Sequence, residues 1–338
     1  MSKKTELGCV RVELRAAEEA IKVLRSDGLL ARARPRREEG SLLIPVTDPA
    51  SAVDALSRHG LEAHPCRDRF EGARPRGLPR EVGISGFVKV GSVVLFSHSR
   101  SLPFDAYVRA AELVAAMYSD VESVFLKLGT VGELRLPQLV LLYGSGSTVT
   151  RVRENGLYFI VDIARSYYNP KLSEERLRVA RQVSEGEYVL DMFAGVGPFS
   201  ITTASLAACN VLAVDMNPYA VYLLARNVDL NRKRLRGRVT PLRADSARLP
   251  HLIDGEFDRI IMNNPTSVLD FFDVACALAA RGAVLHVYLL STDETTAASS
   301  VSEVALRACG QVRVVRSRKA LEYSPSKSIY AVDLVVRP

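Results

Sequence analysis

Tyr188-Val189-Leu190-Asp191-Met192-Phe193-Ala194-Gly195-Val196-Gly197-Pro198-Phe199-Ser200 is the stretch that decides the fold. A short apolar run ending in an acid predicts a buried strand over residues 188–192. Two glycines directly after it predict a tight turn in which the backbone can approach a ligand, followed by a helix whose first amides lack partners. The spacing is not the dinucleotide fingerprint GxGxxG, so nothing phosphate-like need sit at this turn. Asp191 at the strand end is free to hold a cationic amine.

Outward from this turn, further strands are expected over 211–214, 238–242, 257–262 and 283–290. Helices are expected over 174–183, after Gly197, and over 220–231 and 268–280. Apolar strands alternating with helices predict a parallel sheet covered on both faces. Segments 311–316 and 329–336 have strand composition and predict a closing antiparallel hairpin, with a wide loop through Tyr323, Ser324 and Pro325. Upstream, a strand through Val10 and Val12, a helix over 16–24 closed by Gly28, a strand over 41–45 and a helix from Asp48 to Arg58 form a small α/β unit. Pro65 and the basic run 67–76 read as a linker. A second unit starts near Gly77, with strands over 82–87 and 89–96, a helix over 106–117 and apolar segments 121–128 and 138–143 around a Gly-rich connection holding Arg135. Residues 151–156 read as polar and turn-like, ahead of a strand over 157–163. The resulting division is 1–66, 67–150 and 151–338.

The chain has 338 residues and a formal charge of +7, which favours an anionic partner. No stretch approaches the ~18 apolar residues of a membrane span, and no apolar targeting segment opens the sequence, so a cytoplasmic protein is expected. Five scattered cysteines, without ligand spacing and odd in number, argue against a complete disulfide framework and favour a reducing compartment. His59, His64, His98, His251 and His286 form no metal-ligand spacing, and no metal is expected.

Asp191, Asp215 and Asp245 stand at three successive strand ends, on the carboxyl edge where open sheets bind ligands. Asp215 can accept both hydroxyls of a ribose and Asp245 can meet the amino group of adenine. The set matches a phosphate-free nucleoside with a cationic amino-acid tail; the alternative is that Asp191 and Asp245 cap helices and Asp215 belongs to a turn. Asn263 and Asn264 end the fourth strand ahead of Pro265, where an amide can both donate to and accept from a nucleobase. Asp162, Glu174 and Glu175 are all candidates for a general base. A basic group around Arg226, Arg232, Lys233, Arg234, Arg236 and Arg238, with others at 32–37 and 67–76, suits phosphate contacts. Tyr167, Tyr168 and Tyr323 could stack on an extruded base, though packing roles are equally open.

The runs Arg153-Glu154-Asn155-Gly156, Val161-Asp162-Ile163-Ala164 and Tyr168-Asn169-Pro170-Lys171-Leu172-Ser173-Glu174-Glu175-Arg176, together with the stretch from Asp191 to Ser200, resemble the archaeal and eukaryotic tRNA (guanine-37-N1)-methyltransferases. The resemblance is strong from Gly129 onward and faint before it. It implies an α/β fold, a class I S-adenosylmethionine-dependent methyltransferase Rossmann-like sheet with two smaller amino-terminal α/β domains. Of these, the first would recognise the outer corner of tRNA and the second would help place the anticodon region. It places the general base on Glu175, the arginine facing guanine O6 on Arg135, the ribose-binding acid on Asp215 and the base-orienting amide on Asn263. Phe193, Gly195, Gly197, Met216, Asp245 and Pro265 complete the expected cofactor set with Asp191, while Arg153, Tyr168, Lys171 and Asn264 are expected to face the RNA of a monomeric enzyme. Two departures stand out. Lys171 replaces an arginine and loses its planar fork, and Asn264 replaces a leucine and adds an amide beside the substrate. A sister group transfers the aminocarboxypropyl part of the same cofactor and usually has tyrosine where this chain has Pro198, which favours methyl transfer here. Methylation of a wybutosine precursor, and a non-catalytic RNA-binding role, are the other readings.

Overall fold

A computed structural model describes residues 4–31, 33, 35–71, 83–84, 86–132, 134, 136–324 and 326–337. Arg32, Arg34, residues 72–76 of the basic run, Arg135 and Pro325 lie outside the described residues. The chain divides into two compact units, residues 1–86 with 113–119 and residues 87–112 with 120–338.

In the first unit β1 (Lys4–Glu13), α1 (Ala17–Ser26), β2 (Arg36–Glu38), β3 (Ser41–Pro45), α2 (Pro49–Arg58) and β4 (His64–Glu71) build an antiparallel sheet in the order β2-β3-β1-β4. Ala20 and Leu24 of α1 and Ala52, Ala55 and Leu56 of α2 bury against Val10, Val12 and Ile44 of the sheet. Asp48 caps α2 by accepting from the Ala50 and Ser51 amides, with Pro49 at the first helical position. The expected linker from Pro65 is instead the edge strand β4. Cys66, Asp68 and Phe70 turn inward while Arg67 and Arg69 face solvent, a period-two pattern that the charges conceal. Cys9 and Cys66 lie directly opposite each other across β1 and β4 and form a disulfide. With a second disulfide, Cys276–Cys309, only Cys209 remains free, contrary to the expectation of unpaired thiols. Strand register brings Cys9 and Cys66 together across 57 residues, which spacing along the chain does not reveal.

The second unit begins with β5 (Val88–Val90), β6 (Val93–Ser97), the first part of α3 (Phe104–Met117) as far as Glu112, β7 (Ser123–Val131) and β8 (Leu136–Gly144), whose strands pair in sequence order. The turn falls at Gly91-Ser92, inside the run expected to be one strand over 89–96. A hairpin follows, β9 (Val149–Glu154) and β10 (Leu157–Asp162), joined by Asn155-Gly156. Asn155 has φ 51°, the left-handed turn conformation that suits a two-residue hairpin loop. Of the segment 151–156 expected to be turn-like, only Asn155-Gly156 is the turn; residues 151–154 belong to β9, where inward-facing Thr150 and Glu154 hide the alternation. Asn227 and Asn231, one turn apart on a helix below, bond with both the amide and the carbonyl of Ile160 and Tyr158, and so satisfy the open edge of β10.

The rest of the unit is α4 (Ser173–Ala180), β11 (Tyr188–Asp191), α5 (Pro198–Leu206), β12 (Asn210–Asp215), α6 (Pro218–Asn231), β13 (Arg238–Arg243), β14 (Phe257–Met262), α7 (Phe272–Ala277), β15 (Ala279–Ser291), α8 (Glu294–Cys309), β16 (Val312–Ser324) and β17 (Lys327–Val336). The sheet runs β13-β12-β11-β14-β15-β17-β16, parallel through β15 and then antiparallel. This is the doubly wound class I methyltransferase order. From β11 the chain first moves outward to β12 and β13 and then returns to β14, so the crevice between β11 and β14 opens at the carboxyl edge. One face packs under Val179, Phe199, Ile201 and Leu224, with Tyr288, Ile329 and Ala331 rising from the strands. The other packs under Val268, Phe272, Val301 and Ala305, with Leu285, Val287, Val332 and Leu334. Three expectations change here. The helix expected over 268–280 is a short 3-10 turn followed by α7, α8 occupies a stretch to which no element was assigned, and β16 and β17 stay paired as far as Ser324 and Lys327 where a wide loop was expected.

Candidate active site

The site is built at the ends of β11, β12 and β14. Gly195 and Gly197 have φ of 56° and 88°, conformations that a side chain resists. A Cβ on Gly197 would also run into Leu224 Cδ1, so the turn can pass over α6 only as glycine. Two long-range backbone bonds hold the turn from either side, Met192 N to Ile261 O at 3.0 Å and Ala194 N to Val214 O at 2.8 Å. Asp215 fixes it from beneath, since its two oxygens accept from the amides of Gly195 (2.8 Å) and Asn217 (2.9 Å). Each oxygen keeps a lone pair for a ligand hydroxyl.

Asp191 is 1% exposed. Its Oδ2 accepts from Ser200 Oγ at 2.6 Å, while Oδ1 is buried without a hydrogen-bond partner. Burial, with the nearby Asp215 carboxylate adding to it, pushes the Asp191 carboxyl up to about 7 against the bonds it receives from Ser200 and Phe193. Burial also raises Asp215. Two carboxylates around a glycine turn repel phosphate and attract a cation. The set of acceptors therefore fits S-adenosylmethionine.

The other expected cofactor residues divide. Phe193 stands edge-on to Phe271 with centroids 4.9 Å apart, an apolar wall at the turn. Met216 is exposed beside Asp215. Asp245 is exposed and accepts from Ala247 N at 3.0 Å, so it is the cap weighed as the alternative. Asn263, Asn264 and Pro265 are half-buried past the end of β14, and Pro265 O accepts from Leu290 N, which ties this corner to β15.

Among the candidate bases, Glu174 is exposed and Asp162 Oδ1 accepts from Ala164 N in a turn. Glu175 differs from both. It is 2% exposed, and its Oε1 accepts three hydrogen bonds, from Arg178 Nε (2.9 Å), Arg178 Nη2 (2.7 Å) and Tyr288 Oη (2.9 Å). Its Oε2 has no hydrogen-bond partner. The Tyr288 ring packs 5.5 Å from that of Phe199, the second residue of α5, so Glu175 lies one aromatic pair behind the cofactor turn.

A buried chain that sequence reasoning missed extends from Glu175. Arg178 pairs with Asp333, Asp333 Oδ1 bonds His286 Nδ1 at 2.6 Å, and His286 Nε2 meets Arg259 Nη1 at 2.8 Å. Arg259 closes the chain on Glu187. Burial lowers the His286 value and keeps the ring neutral. Facing a guanidinium donor, Nε2 must accept, so the proton sits on Nδ1 and is donated to Asp333. Burial works against the Asp333 carboxylate, but the bonds from His286 and Arg178 hold it down at about 2. Burial raises Tyr288 well above its ordinary value, Glu175 adds to this, and the phenol stays a donor. His286 and Asp333 interrupt otherwise apolar strands of a sheet covered on both faces, and that was the available signal.

The residues expected to face RNA are placed differently from one another. Lys171 is exposed just ahead of α4, and Arg153 is exposed with its guanidinium 5.9 Å from the centre of the Tyr158 ring. Tyr168 is not available for stacking. It is 9% exposed, its hydroxyl donates to Glu154 Oε2 at 2.6 Å, and Arg176, paired with the same Glu154, covers its ring.

Comparison with known proteins agrees with this geometry. The TRM5/TYW2 methyltransferase domain matches residues 150–315 and the tRNA methyltransferase 5 N-terminal domain matches residues 9–54. The tRNA (guanine(37)-N(1))-methyltransferase Trm5b of Pyrococcus abyssi is 31% identical over 89% of this chain and 90% of its own length. A solved complex of aTrm5 with tRNALeu superposes with a TM-score of 0.69 at 27% identity, covering 97% of this chain and 99% of that one. The structure of Methanocaldococcus jannaschii Trm5 with adenosine gives 0.65 at 28% identity, covering 98% and 99%. Sharing nearly a third of its residues with a relative along almost the full length of both, and superposing on solved members over nearly its whole length, this chain belongs to the TRM5/TYW2 family of methyltransferases.

Proposed function

We propose that this chain transfers a methyl group from S-adenosylmethionine to N1 of guanosine 37 in tRNA. The observation that carries the reading is Glu175, a buried carboxylate with one oxygen saturated and the other buried without a hydrogen-bond partner, set one aromatic pair behind the cofactor turn. When bound, S-adenosylmethionine supplies a methyl group already activated by its sulfonium. Asp191 Oδ1 receives the amine of its tail, and Asp215 receives the ribose hydroxyls. Glu175 Oε2 removes the N1 proton, while Arg178 and Tyr288 keep the carboxylate from turning away. Asn263, at the end of the neighbouring strand, orients the base. Arg135 supplies a donor to O6, in keeping with the family motif.

N1 lies on the pairing edge of guanine and is reached by extruding the base. Lys171, and Arg153 on the hairpin strand β9, serve as phosphate contacts that hold the anticodon loop during extrusion. The tRNA partner is supported by the solved complex of aTrm5 with tRNALeu. Residues 1–66 and 67–150 act as RNA-positioning domains for the catalytic segment 151–338, in a monomeric cytoplasmic enzyme.

The test is incubation of purified tRNA with cofactor labelled separately in its methyl and carboxypropyl groups, followed by nucleoside mass analysis. Methyl label in 1-methylguanosine at position 37 is the expected product. Carboxypropyl label in the RNA, or methyl label only in a tricyclic precursor, would replace this reading.

A further inference from the structure

The open oxygen of Glu175 has one charged neighbour. Arg318 Nη1 stands 3.4 Å from Glu175 Oε2, too far and too poorly aligned to count as its hydrogen bond but close enough for an ion pair. Arg318 belongs to β16, where it pairs with Ala331, and Ala331 pairs in turn with Tyr288. Tyr288 and Arg318 thus flank Ala331 in one row across the sheet, and Glu175 touches both. Their surroundings differ. Arg178 is committed on two sides, to Glu175 and Asp333, whereas Arg318 is 37% exposed and its only ion pair among the described residues is with Glu175.

We propose that Arg318 is a further catalytic residue, the cation that follows the negative charge from Glu175 Oε2 to O6 of the target guanine. The inference rests on Glu175 as the base. Oε1 already accepts three bonds, so N1–H can be received only at Oε2. O6 is bonded to the carbon next to N1, so a guanine presenting N1–H to Oε2 brings O6 to the side of that oxygen. Arg318 is the flexible, partly solvated group at Oε2, and it can turn from one oxygen to the other without leaving the site.

The proton on N1 passes to Oε2 and neutralises the carboxylate, leaving the base anionic over N1 and O6. N1 then bonds to the methyl carbon as the carbon–sulfur bond breaks, and that electron pair stays on sulfur. One positive charge, on the sulfonium, and one negative charge, on Glu175, are discharged together. During this exchange a cation already within reach of both oxygens stabilises the anion with less reorganisation of solvent. Arg135 and Arg318 would then share O6.

The experiment is single-turnover methylation of a G37 tRNA transcript at saturating enzyme and cofactor from pH 6 to 9, comparing the native protein with Arg318→Ala, Arg318→Lys and, separately, Glu175→Gln. Arg318→Ala is expected to slow the chemical step on the order of 10²-fold. Its rate should continue to rise at pH values where the native rate has levelled, because N1 must then ionise without help. Arg318→Lys should recover part of the loss. Affinity for S-adenosylhomocysteine, measured by calorimetry, should not change and reports that each variant is folded. An unchanged single-turnover rate with weaker tRNA binding would make Arg318 a phosphate contact, and a faster rate would make it a block on the base; either overturns the proposal. If Glu175→Gln retains the native rate, the underlying reading of the base fails, independently of the Arg318 result.

Discussion

Replacing Asp191 by asparagine should stabilise the cofactor-free protein while disabling its cofactor site. Asp191 is fully enclosed, and burial lifts its carboxyl from an ordinary value of 3.8 to about 7. Ionising it in the folded chain therefore costs ~4 kcal/mol more than in the unfolded chain. Since the folded value is the higher one, the unfolded state loses its proton first. Stability falls as pH rises from about 4 to about 7 and is level above that. Asparagine cannot ionise and escapes this loss, but its amide hydrogens face the same enclosed space as the unpartnered Oδ1, at a cost of ~1–3 kcal/mol. The net gain at pH 8 is then ~1–3 kcal/mol, or about 3–10 °C in melting temperature for a domain of this size. At pH 5 the stranded amide should leave the variant level with or below the native protein.

Binding should respond in the opposite sense. A cationic amine needs Asp191 ionised, so below pH 7 the competent fraction, and with it the apparent affinity, falls about tenfold per pH unit. Thermal melting at pH 5 and 8, with calorimetry of S-adenosylhomocysteine from pH 5.5 to 8.5, measures both effects. The reasoning is refuted if Asp191→Asn melts lower than the native protein by the same margin at both pH values. Native affinity that does not vary across the range would refute it as well.

Glu175→Gln should slow single-turnover methylation by ~10²–10⁴-fold with cofactor affinity intact, read by labelled-methyl incorporation and calorimetry. Gly197→Ala should cost ~1–3 kcal/mol in denaturant unfolding and weaken cofactor binding, because its φ of 88° and the Leu224 side chain both resist a Cβ. Asp333→Ala should cost ~3–5 kcal/mol, since it strands buried Arg178 and His286. In the native protein the Asp333 contribution is present above about pH 4 and is lost as pH falls toward 2, so an acid melt of the two proteins should converge there. Phe272→Ala should cost ~3–5 kcal/mol through the cavity it leaves beneath α7 and α8 without altering the cofactor turn, as unfolding and calorimetry together would report.

The catalytic sheet was legible because both of its faces are covered. Strands such as β11 and β14 are then continuous apolar runs, and an acid or amide can appear only where each run ends. The same logic failed where a strand carries its charges inward. Thr150 and Glu154 made β9 look like a turn, and Asp68 with its arginine neighbours made β4 look like a linker. Helix α8 escaped notice because its buried side is made of Ala297, Val301 and Ala305, a stripe too small to stand out among serines and threonines. At the site, position alone picked out Asp191 and Asp215 at the strand ends beside the glycine turn, but Glu175 could not be told from Glu174 without the family motif. What separates the two is the direction each faces from α4, and hence what it meets on β15 and β16, more than a hundred residues later in the chain.

That long-range dependence explains why the proposed base is carried on α4 yet held by the sheet. A short helix of eight residues fixes a side chain poorly by itself. Here the carboxylate is located by donors from two elements, Tyr288 of β15 and Arg178 of its own helix, and Arg178 is in turn gripped by Asp333 of β17. Asp333 and Tyr288 sit on antiparallel neighbours that pair without interruption from Val284 to Ser291, where a shift of one residue would carry both to the wrong face. Asp191 and Asp215, by contrast, depend on β11, β12 and the glycine turn. In the proposed reading, base and cofactor are therefore set by separate parts of one sheet. For that reason loss of Glu175 should leave cofactor binding untouched, whereas loss of Asp333 should displace the base first and the cofactor only if the sheet itself gives way.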